Sequence, residues 1–195
     1  MMRATGGFVV LLLIASPGLG VNPQDYIHSP GATVWGFWGR TESCQNGSYA
    51  YGFEISVEPE AGSLDDDSSM NAIQLFCRTP GGGHTGEVTS DTMDRGVWTG
   101  AHHCLGGFLI GYDLKSHDDV GAIGDNTAAN ALKMWCTGEE EPMEAAGNKW
   151  GQWLGRSLCK DGAAICGIMT RVQPDQGTFG DDTALNDVKF LCCDM

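Results

Sequence analysis

A short motif that recurs three times constrains this chain more than any other feature. Each copy begins with an Asp, carries an Asn five residues later and ends in a Cys, and the copies occupy 66–77, 125–136 and 181–192. A glycine lies 19 residues before each Asn, and a Trp and a Cys six residues apart precede that glycine: Trp38, Cys44 and Gly52; Trp98, Cys104 and Gly111; Trp153, Cys159 and Gly167. These marks indicate three internal repeats of about 57 residues, approximately 34–80, 93–137 and 148–195.

Alternation of apolar and polar residues predicts strands within each repeat. Tyr49 to Val57 alternates, with Tyr49, Tyr51, Phe53, Ile55 and Val57 expected on one face. Ile73, Leu75 and Cys77 of the shared motif are likewise expected to face inward. No stretch shows a helical apolar stripe, and glycine is abundant, at 29 of 195 residues.

The predicted fold class is therefore all-β, with a single domain over 34–195. Three sheet-forming units are too few for a propeller but can bury their apolar faces around one axis. This arrangement is a β-prism of three sheets with pseudo-threefold symmetry, and a β-trefoil is the competing threefold fold.

The N-terminus predicts export. Residues 1–20 combine Arg3 with the apolar run 8–15 and small residues at 18 and 20, which is typical of a secretory signal peptide. The apolar run is shorter than the roughly 20 residues that span a bilayer. Residues 21–33 are predicted to be a flexible lead-in, and we expect a secreted protein of the extracellular space.

Eight cysteines in an exported chain favour structural disulfides. The repeat makes three pairs equivalent, with separations of 33, 32 and 33 residues, and leaves two cysteines for each other; the predicted pairs are Cys44–Cys77, Cys104–Cys136, Cys159–Cys192 and Cys166–Cys193. Closing such loops stabilises by about 3–4 kcal/mol each. We expect the three equivalent bridges to lock each repeat onto itself.

Charge and local motifs narrow the range of partners. The formal net charge of −14 argues against nucleic acid and anionic membranes as partners, whereas basic extracellular proteins stay as a partner class. Asn46-Gly47-Ser48 is a predicted glycosylation site at Asn46.

Several of these motifs resemble a known family. Trp35-Gly36-x-Trp38, Trp150-Gly151-x-Trp153, the run Gly124-Asp125-Asn126-Thr127-Ala128-Ala129-Asn130 and the final Cys192-Cys193 are similar to those of the vitelline membrane outer layer protein I family. The resemblance covers the whole mature chain and implies a secreted β-prism of an extracellular coat. It also implies a link to transfer of N-acetylglucosamine oligosaccharides, without a catalytic motif that can be carried over. Arg95 stands where the other repeats have Trp35 and Trp150.

The repeated carboxylates Asp66, Asp125 and Asp181 have two interpretations. A glycosidase or transglycosylase needs two carboxyls in unlike environments. Repeated Asp followed by Ser or Thr is more typical of turns that lead into strands, and the following Asn residues (Asn71, Asn130 and Asn186) are expected to bond backbone there. These Asp residues are candidate glycan-binding groups, and no catalytic residue is assigned.

The remaining candidates are aromatic or metal-binding side chains. Trp35 and Trp150 are candidates for stacking on sugar rings, although repeated Trp residues more often fill a core. Calcium is a weak alternative for the Asp turns because the EF-hand spacing is missing. His84 and the adjacent His102 and His103 suggest no metal site, and we expect no cofactor.

These observations favour a monomeric extracellular coat or mucosal-fluid protein that binds glycans or glycoproteins. An enzyme that transfers or hydrolyses N-acetylglucosamine oligosaccharides through an Asp pair is the alternative function, and a purely structural coat component is a third.

Overall fold

The structure is a computed structural model that describes residues 25–58, 70–117, 128–174 and 183–195. Six long strands and nine short ones lie within these ranges. The strands are β1 Tyr26–His28, β2 Phe37–Trp38, β3 Glu42–Ser43, β4 Tyr49–Val57, β5 Met70–Arg78, β6 His84–Val88, β7 Val97–Trp98, β8 His102–His103, β9 Leu109–Ser116, β10 Ala129–Cys136, β11 Met143–Ala146, β12 Gln152–Trp153, β13 Ser157–Leu158, β14 Ala163–Val172 and β15 Leu185–Asp194.

The strands form three antiparallel sheets of five strands each, which confirms the predicted β-prism. Sheet A has the order β1-β15-β14, with β2 and β3 both paired to β14. Sheet B has the order β6-β5-β4, with β7 and β8 paired to β4, and sheet C has the order β11-β10-β9, with β12 and β13 paired to β9. Each sheet therefore has two long central strands, one outer strand and a pair of short strands.

The repeats in the sequence and the sheets in space do not coincide. The short strands β2 and β3 of the first repeat pair with β14 of the third, β7 and β8 of the second pair with β4 of the first, and β12 and β13 of the third pair with β9 of the second. Every sheet is thus assembled from two repeats, and no repeat forms a sheet by itself as the sequence suggested.

The N-terminal boundary also differs from the prediction. Tyr26–His28, expected in the flexible lead-in 21–33, forms an edge strand paired with β15, so the prism begins before Val34. The predicted signal peptide 1–20 lies outside the described residues and stays a prediction. In the part of the chain that the structure describes, no helix is long and apolar enough to cross a lipid bilayer.

The core lies where the inner faces of the three sheets meet. Its fully buried side chains come from all six long strands: Phe53, Ile55, Ile73, Leu75, Tyr112, Leu114, Leu132, Met134, Ile165, Ile168, Val188 and Phe190. Tyr112 connects the sheets, because its hydroxyl donates to the Val188 carbonyl at 2.9 Å and accepts from the Ser29 amide at 2.7 Å. Burial raises the pKa of this phenol.

A β-bulge at the same place in each sheet interrupts the expected alternation. The register shifts between Ala50 and Gly52, and at the equivalent points of β9 and β14. Ala50 and Phe53 face the core, whereas Tyr51 is half-buried and stacks on His103, with 5.0 Å between ring centres. Tyr49 packs in a separate cluster. The prediction that Tyr49 and Tyr51 share the core face was therefore wrong.

The repeated glycines after the bulges lack a side chain, which lets the backbone of the short strands approach closely. A Cβ at Gly52 would lie 2.6 Å from the carbonyl oxygen of His102, and one at Gly111 would lie 2.6 Å from that of Ser157. At Gly167 the distance to the carbonyl oxygen of Glu42 would be 2.8 Å. Such distances are far too short for non-bonded atoms, so a side chain here would push the exchanged strands away.

Four disulfides join the cysteine pairs expected from the repeat: Cys44–Cys77, Cys104–Cys136, Cys159–Cys192 and Cys166–Cys193. The first three do more than close a repeat. Cys44 follows β3 and donates its amide to Cys166 of sheet A, whereas Cys77 lies on β5 of sheet B. The equivalent bridges join sheets B and C, and C and A, so covalent bonds link the three sheets in a ring.

Candidate functional site

The structure separates the predicted site residues into two groups. Asp66, Asp125 and Asp181 lie outside the described residues, in the connections between β4 and β5, β9 and β10, and β14 and β15. Trp35 and Trp150 are 47% and 45% exposed. Both side chains are accessible and do not fill the core, and their role in glycan binding stays a prediction.

The turn that follows each of these tryptophans explains their exposure. Gly36 and Gly151 have φ angles of 76° and 86°, and Gly96 at the same repeat position has 87°. A Cβ at Gly36 would lie 2.5 Å from the Gln173 amide nitrogen, so the backbone of the turn rests directly on the end of a long strand. The turns therefore mark one end of the prism, where β4, β9 and β14 finish, and the preceding side chains remain in solvent.

Among the described residues, Phe37 is the most exposed aromatic residue at this end, at 77%. It pairs with Val172 at the end of β14 and lines a depression of about 430 Å³ with Ser90, Asp91 and Thr92. Met93 and Pro174 complete the described lining. Phe37 therefore shares with three polar residues a depression that is large enough for a sugar residue.

Hydrogen bonds fix the loop that carries the polar side of this depression. The Ser90 hydroxyl donates to the Arg40 carbonyl at 2.8 Å and accepts from the Thr170 amide at 3.1 Å. The Thr170 hydroxyl donates to the Asp91 carbonyl at 2.6 Å. These contacts seat a loop of sheet B on sheet A, so the depression is preformed in the seam between the two sheets.

Sequence reasoning missed both parts of the depression. Phe37 stands where the other repeats have Val97 and Gln152, so it lacks the repetition that drew attention to the tryptophans. The loop Ser90–Thr92 lies between the first and second repeats and meets Phe37 only because β2 pairs with β14 of sheet A. The departure from the repeat at Phe37 was the signal that could have found the site.

Three further tryptophans, one per sheet, lie on β2, β7 and β12. Lys189 Nζ lies 4.3 Å from the centre of the Trp38 ring, and Lys133 Nζ lies 3.9 Å from that of Trp153. Trp98 is 43% exposed, and among the described residues no cation is recorded over its ring.

The asparagines of the shared motif hold backbone turns, as predicted for Asn130 and Asn186. The Asn186 amide donates to the Ala184 carbonyl at 3.0 Å, while its Oδ1 accepts from the Thr33 hydroxyl at 2.7 Å. Asn130 donates to the Ala128 carbonyl at 3.1 Å. Both alanines have positive φ, at 48° and 26°, so the asparagines stabilise a conformation that alanine seldom adopts.

Metal-binding side chains converge at one place in the described ranges, Cys104, Cys136 and Glu139. Both sulfurs are consumed by the disulfide between Cys104 and Cys136, so neither can supply a thiolate. This group is therefore structural.

Solved structures share this architecture at low sequence identity. The Calsepa lectin in complex with a biantennary N-glycan matches with a TM-score of 0.55 at 15% identity, covering 89% of this chain and 99% of that one. The prostate-specific WGA16 glycoprotein lectin matches with a TM-score of 0.52 at 13% identity, covering 84% and 95%. At such identities these matches show the fold alone.

Sequence relatives are much nearer. The vitelline membrane outer layer protein 1 homolog of Homo sapiens is 39% identical over 162 residues, covering 82% of this chain and 78% of the relative. The Mus musculus homolog is 35% identical over 165 residues, covering 82% and 79%. The family model of vitelline membrane outer layer protein I (VOMI) matches residues 25–195, and the chain belongs to this family.

Proposed function

We propose that this protein is a monomeric, secreted component of an extracellular coat or mucosal fluid that binds glycans or glycoproteins. The binding site is the end of the prism that carries Phe37, Ser90, Asp91 and Thr92, with Trp35 as a neighbouring aromatic along the chain. The observation that carries the proposal is the Phe37 depression, which an exposed ring and three polar residues line together.

The chemistry of this depression suits a pyranose. One face of a sugar ring presents C–H groups that pack on an aromatic ring, while its hydroxyls need donors and acceptors at fixed positions. Ser90 is immobilised by two hydrogen bonds, which lowers the entropy cost of ordering the loop on binding. The family, with its name from an egg coat, and the lectin character of the fold neighbours support the same interpretation.

The extracellular location has its own support. Four disulfides persist in an oxidising compartment, and they account for every cysteine of the chain. Removal of residues 1–20 on secretion is part of the proposal, and N-terminal sequencing of the secreted protein would test it.

The alternative, an enzyme acting on N-acetylglucosamine oligosaccharides, requires carboxylates from Asp66, Asp125 or Asp181. Incubation with N-acetylchito-oligosaccharides, followed by mass spectrometry, separates binding from turnover. Redistributed chain lengths that one Asp→Asn substitution abolishes would establish the enzyme.

Calorimetric titration with N-acetylchitohexaose and with a biantennary N-glycan tests the binding site. Phe37→Ala should weaken binding of the recognised glycan about tenfold, because the stacking surface is lost. Asp91→Asn should weaken it less.

Val97→Ala is the matched control, since Val97 occupies the same repeat position and is also exposed, at 67%. If Phe37→Ala and Val97→Ala lower the affinity for the glycan equally, or if neither lowers it, the glycan binds elsewhere.

A further inference from the structure

The outer face of sheet A gathers three basic side chains around one tryptophan. Lys189 Nζ lies 4.3 Å from the centre of the Trp38 ring, and the Arg171 guanidinium carbon lies 5.9 Å from it. The His28 ring approaches the same indole edge-on, with 6.1 Å between ring centres. This basic cluster stands out in a protein with a net charge of −14.

The pseudo-threefold symmetry provides an internal comparison for this cluster. Trp38 pairs with Arg171, whereas the equivalent Trp98 pairs with Ser56 and Trp153 pairs with Lys115. At the position of Lys189, the other sheets have Gln74 and Lys133, as the strand pairings show. Sheet B thus has neither cation at these positions.

Sheet C keeps two cations at these positions and places acidic side chains around one of them, Lys133. Lys133 ion-pairs with Glu144 at 3.4 Å and is the register partner of Asp113. In sheet A, Met169 stands opposite Lys189, and His28 stands where sheet C has Glu144. The two acidic neighbours of Lys133 are therefore replaced, around Lys189, by a thioether and an imidazole.

Among the described residues, Asp187 is the acidic side chain that faces the cluster of sheet A, and it is the register partner of Arg171. It is buried, and its carboxylate is bonded to His28 Nε2 at 2.7 Å and to the Val188 amide at 2.8 Å. Among the described residues no ion pair is recorded for Arg171 or Lys189. The Arg171 Nε donates to the Gly36 carbonyl at 3.2 Å, which orients its guanidinium beside Trp38.

We propose that this face binds a sugar that carries an oxyanion, either sulfate or carboxylate. Lys189 and the free edge of the Arg171 guanidinium bind the anion, and Trp38 provides an apolar surface for the ring. The net charge of −14 opposes the binding of anions in general, so an acidic ligand needs a local group of cations such as this cluster.

This site is independent of the Phe37 depression. Phe37 and Trp38 are consecutive in a strand, so their side chains point to opposite faces of the sheet. A variant of one face should leave the other intact. The two proposals can therefore fail separately.

Titration of the oxidised protein with a heparin-derived octasaccharide, a disialylated oligosaccharide and neutral N-acetylchitohexaose tests the proposal. Lys189→Gln should lower affinity for the acidic probe about tenfold, and Lys189→Arg should retain most of it. Affinity should also fall as NaCl is raised.

Lys133→Gln is the matched control, because it removes the same charge from over the equivalent Trp153. It should change affinity less than twofold, and Phe37→Ala should not affect the acidic probe. Binding of either acidic sugar with these effects supports the proposal and identifies the anion. The proposal would be overturned if Lys189→Gln and Lys133→Gln lowered the affinity equally, or if neither acidic probe bound.

Discussion

The guanidinium carbon of Arg78 lies 4.5 Å from the centre of the Tyr51 ring, at the position where sheet A has the disulfide Cys166–Cys193. Tyr51 and Cys166 are the extra residues of equivalent bulges, and Arg78 and Cys193 each follow a cysteine of the shared motif. Sheet C has Ile110 and Thr137 at this position. One backbone geometry therefore supports a cation–π pair in sheet B and a covalent bond in sheet A.

This equivalence predicts that a disulfide can be installed in sheet B. Tyr51→Cys combined with Arg78→Cys should form a bridge with the same 27-residue separation as Cys166–Cys193. The net gain should be about 2 kcal/mol, because loop closure adds roughly 3 and the lost cation–π contact removes roughly 1. Peptide mapping without reduction would detect the new disulfide, and urea denaturation would measure the gain in stability. A mixture of scrambled bridges would show that the bulges differ.

Substitution of the glycines that follow the bulges should destabilise the protein. Gly52→Ala should destabilise by about 2 kcal/mol or more, because the new methyl group would meet the His102 carbonyl at 2.6 Å. Gly106→Ala is the control, since nothing lies within 4 Å of a Cβ there. Urea denaturation of both variants should show a loss for the first alone. Equal stability would mean that β8 can withdraw from β4 without cost.

Removal of a turn asparagine should lower the stability of the folded protein. Asn186→Ala removes the donor to Ala184 and leaves the hydroxyls of Thr33 and Thr183 without this partner, which should cost about 2–3 kcal/mol. Gln45→Ala, at an exposed site, should have little effect. Thermal denaturation compares the two variants. A small effect of Asn186→Ala would show that the positive φ of Ala184 needs no such support.

Asp187 should make stability fall as pH rises. Burial raises the pKa of this carboxyl above its ordinary 3.8, and the bond from His28 opposes that shift. A carboxyl whose pKa is higher in the folded protein favours folding below its unfolded pKa, and this contribution disappears as pH rises through the folded value. Relative to Asp187→Asn, the protein should therefore lose stability between acidic and neutral pH.

A His28→Gln background removes the titration of the imidazole from this comparison. His28→Gln and His28→Gln/Asp187→Asn should be compared by urea denaturation from pH 4 to 7. Their difference should grow with pH in favour of the Asn variant. A difference that shrinks as pH rises would mean that bonding to the charged carboxylate outweighs its burial.

The features that recur in every repeat could be predicted from the sequence. Equal spacings paired the cysteines, and apolar alternation located the long strands. The exchange of β2 and β3 onto β14 could not be predicted, because two-residue strands have no measurable period and their partner is distant in the chain. The turn beside Trp35 could not be placed for a related reason: Gly36 rests on the end of β14, not on its own repeat.

The exchange of strands also governs how the chain can fold as it is synthesised. Sheet A needs residues 26–43 from the beginning of the chain and residues 163–194 from its end. Until the last strand has been made, the first strands have no edge on which to pair, and Cys44 is not yet held near its partner by a completed seam. Completion of sheet A must therefore follow synthesis of β15, whereas sheets B and C need only residues 49–103 and 109–158.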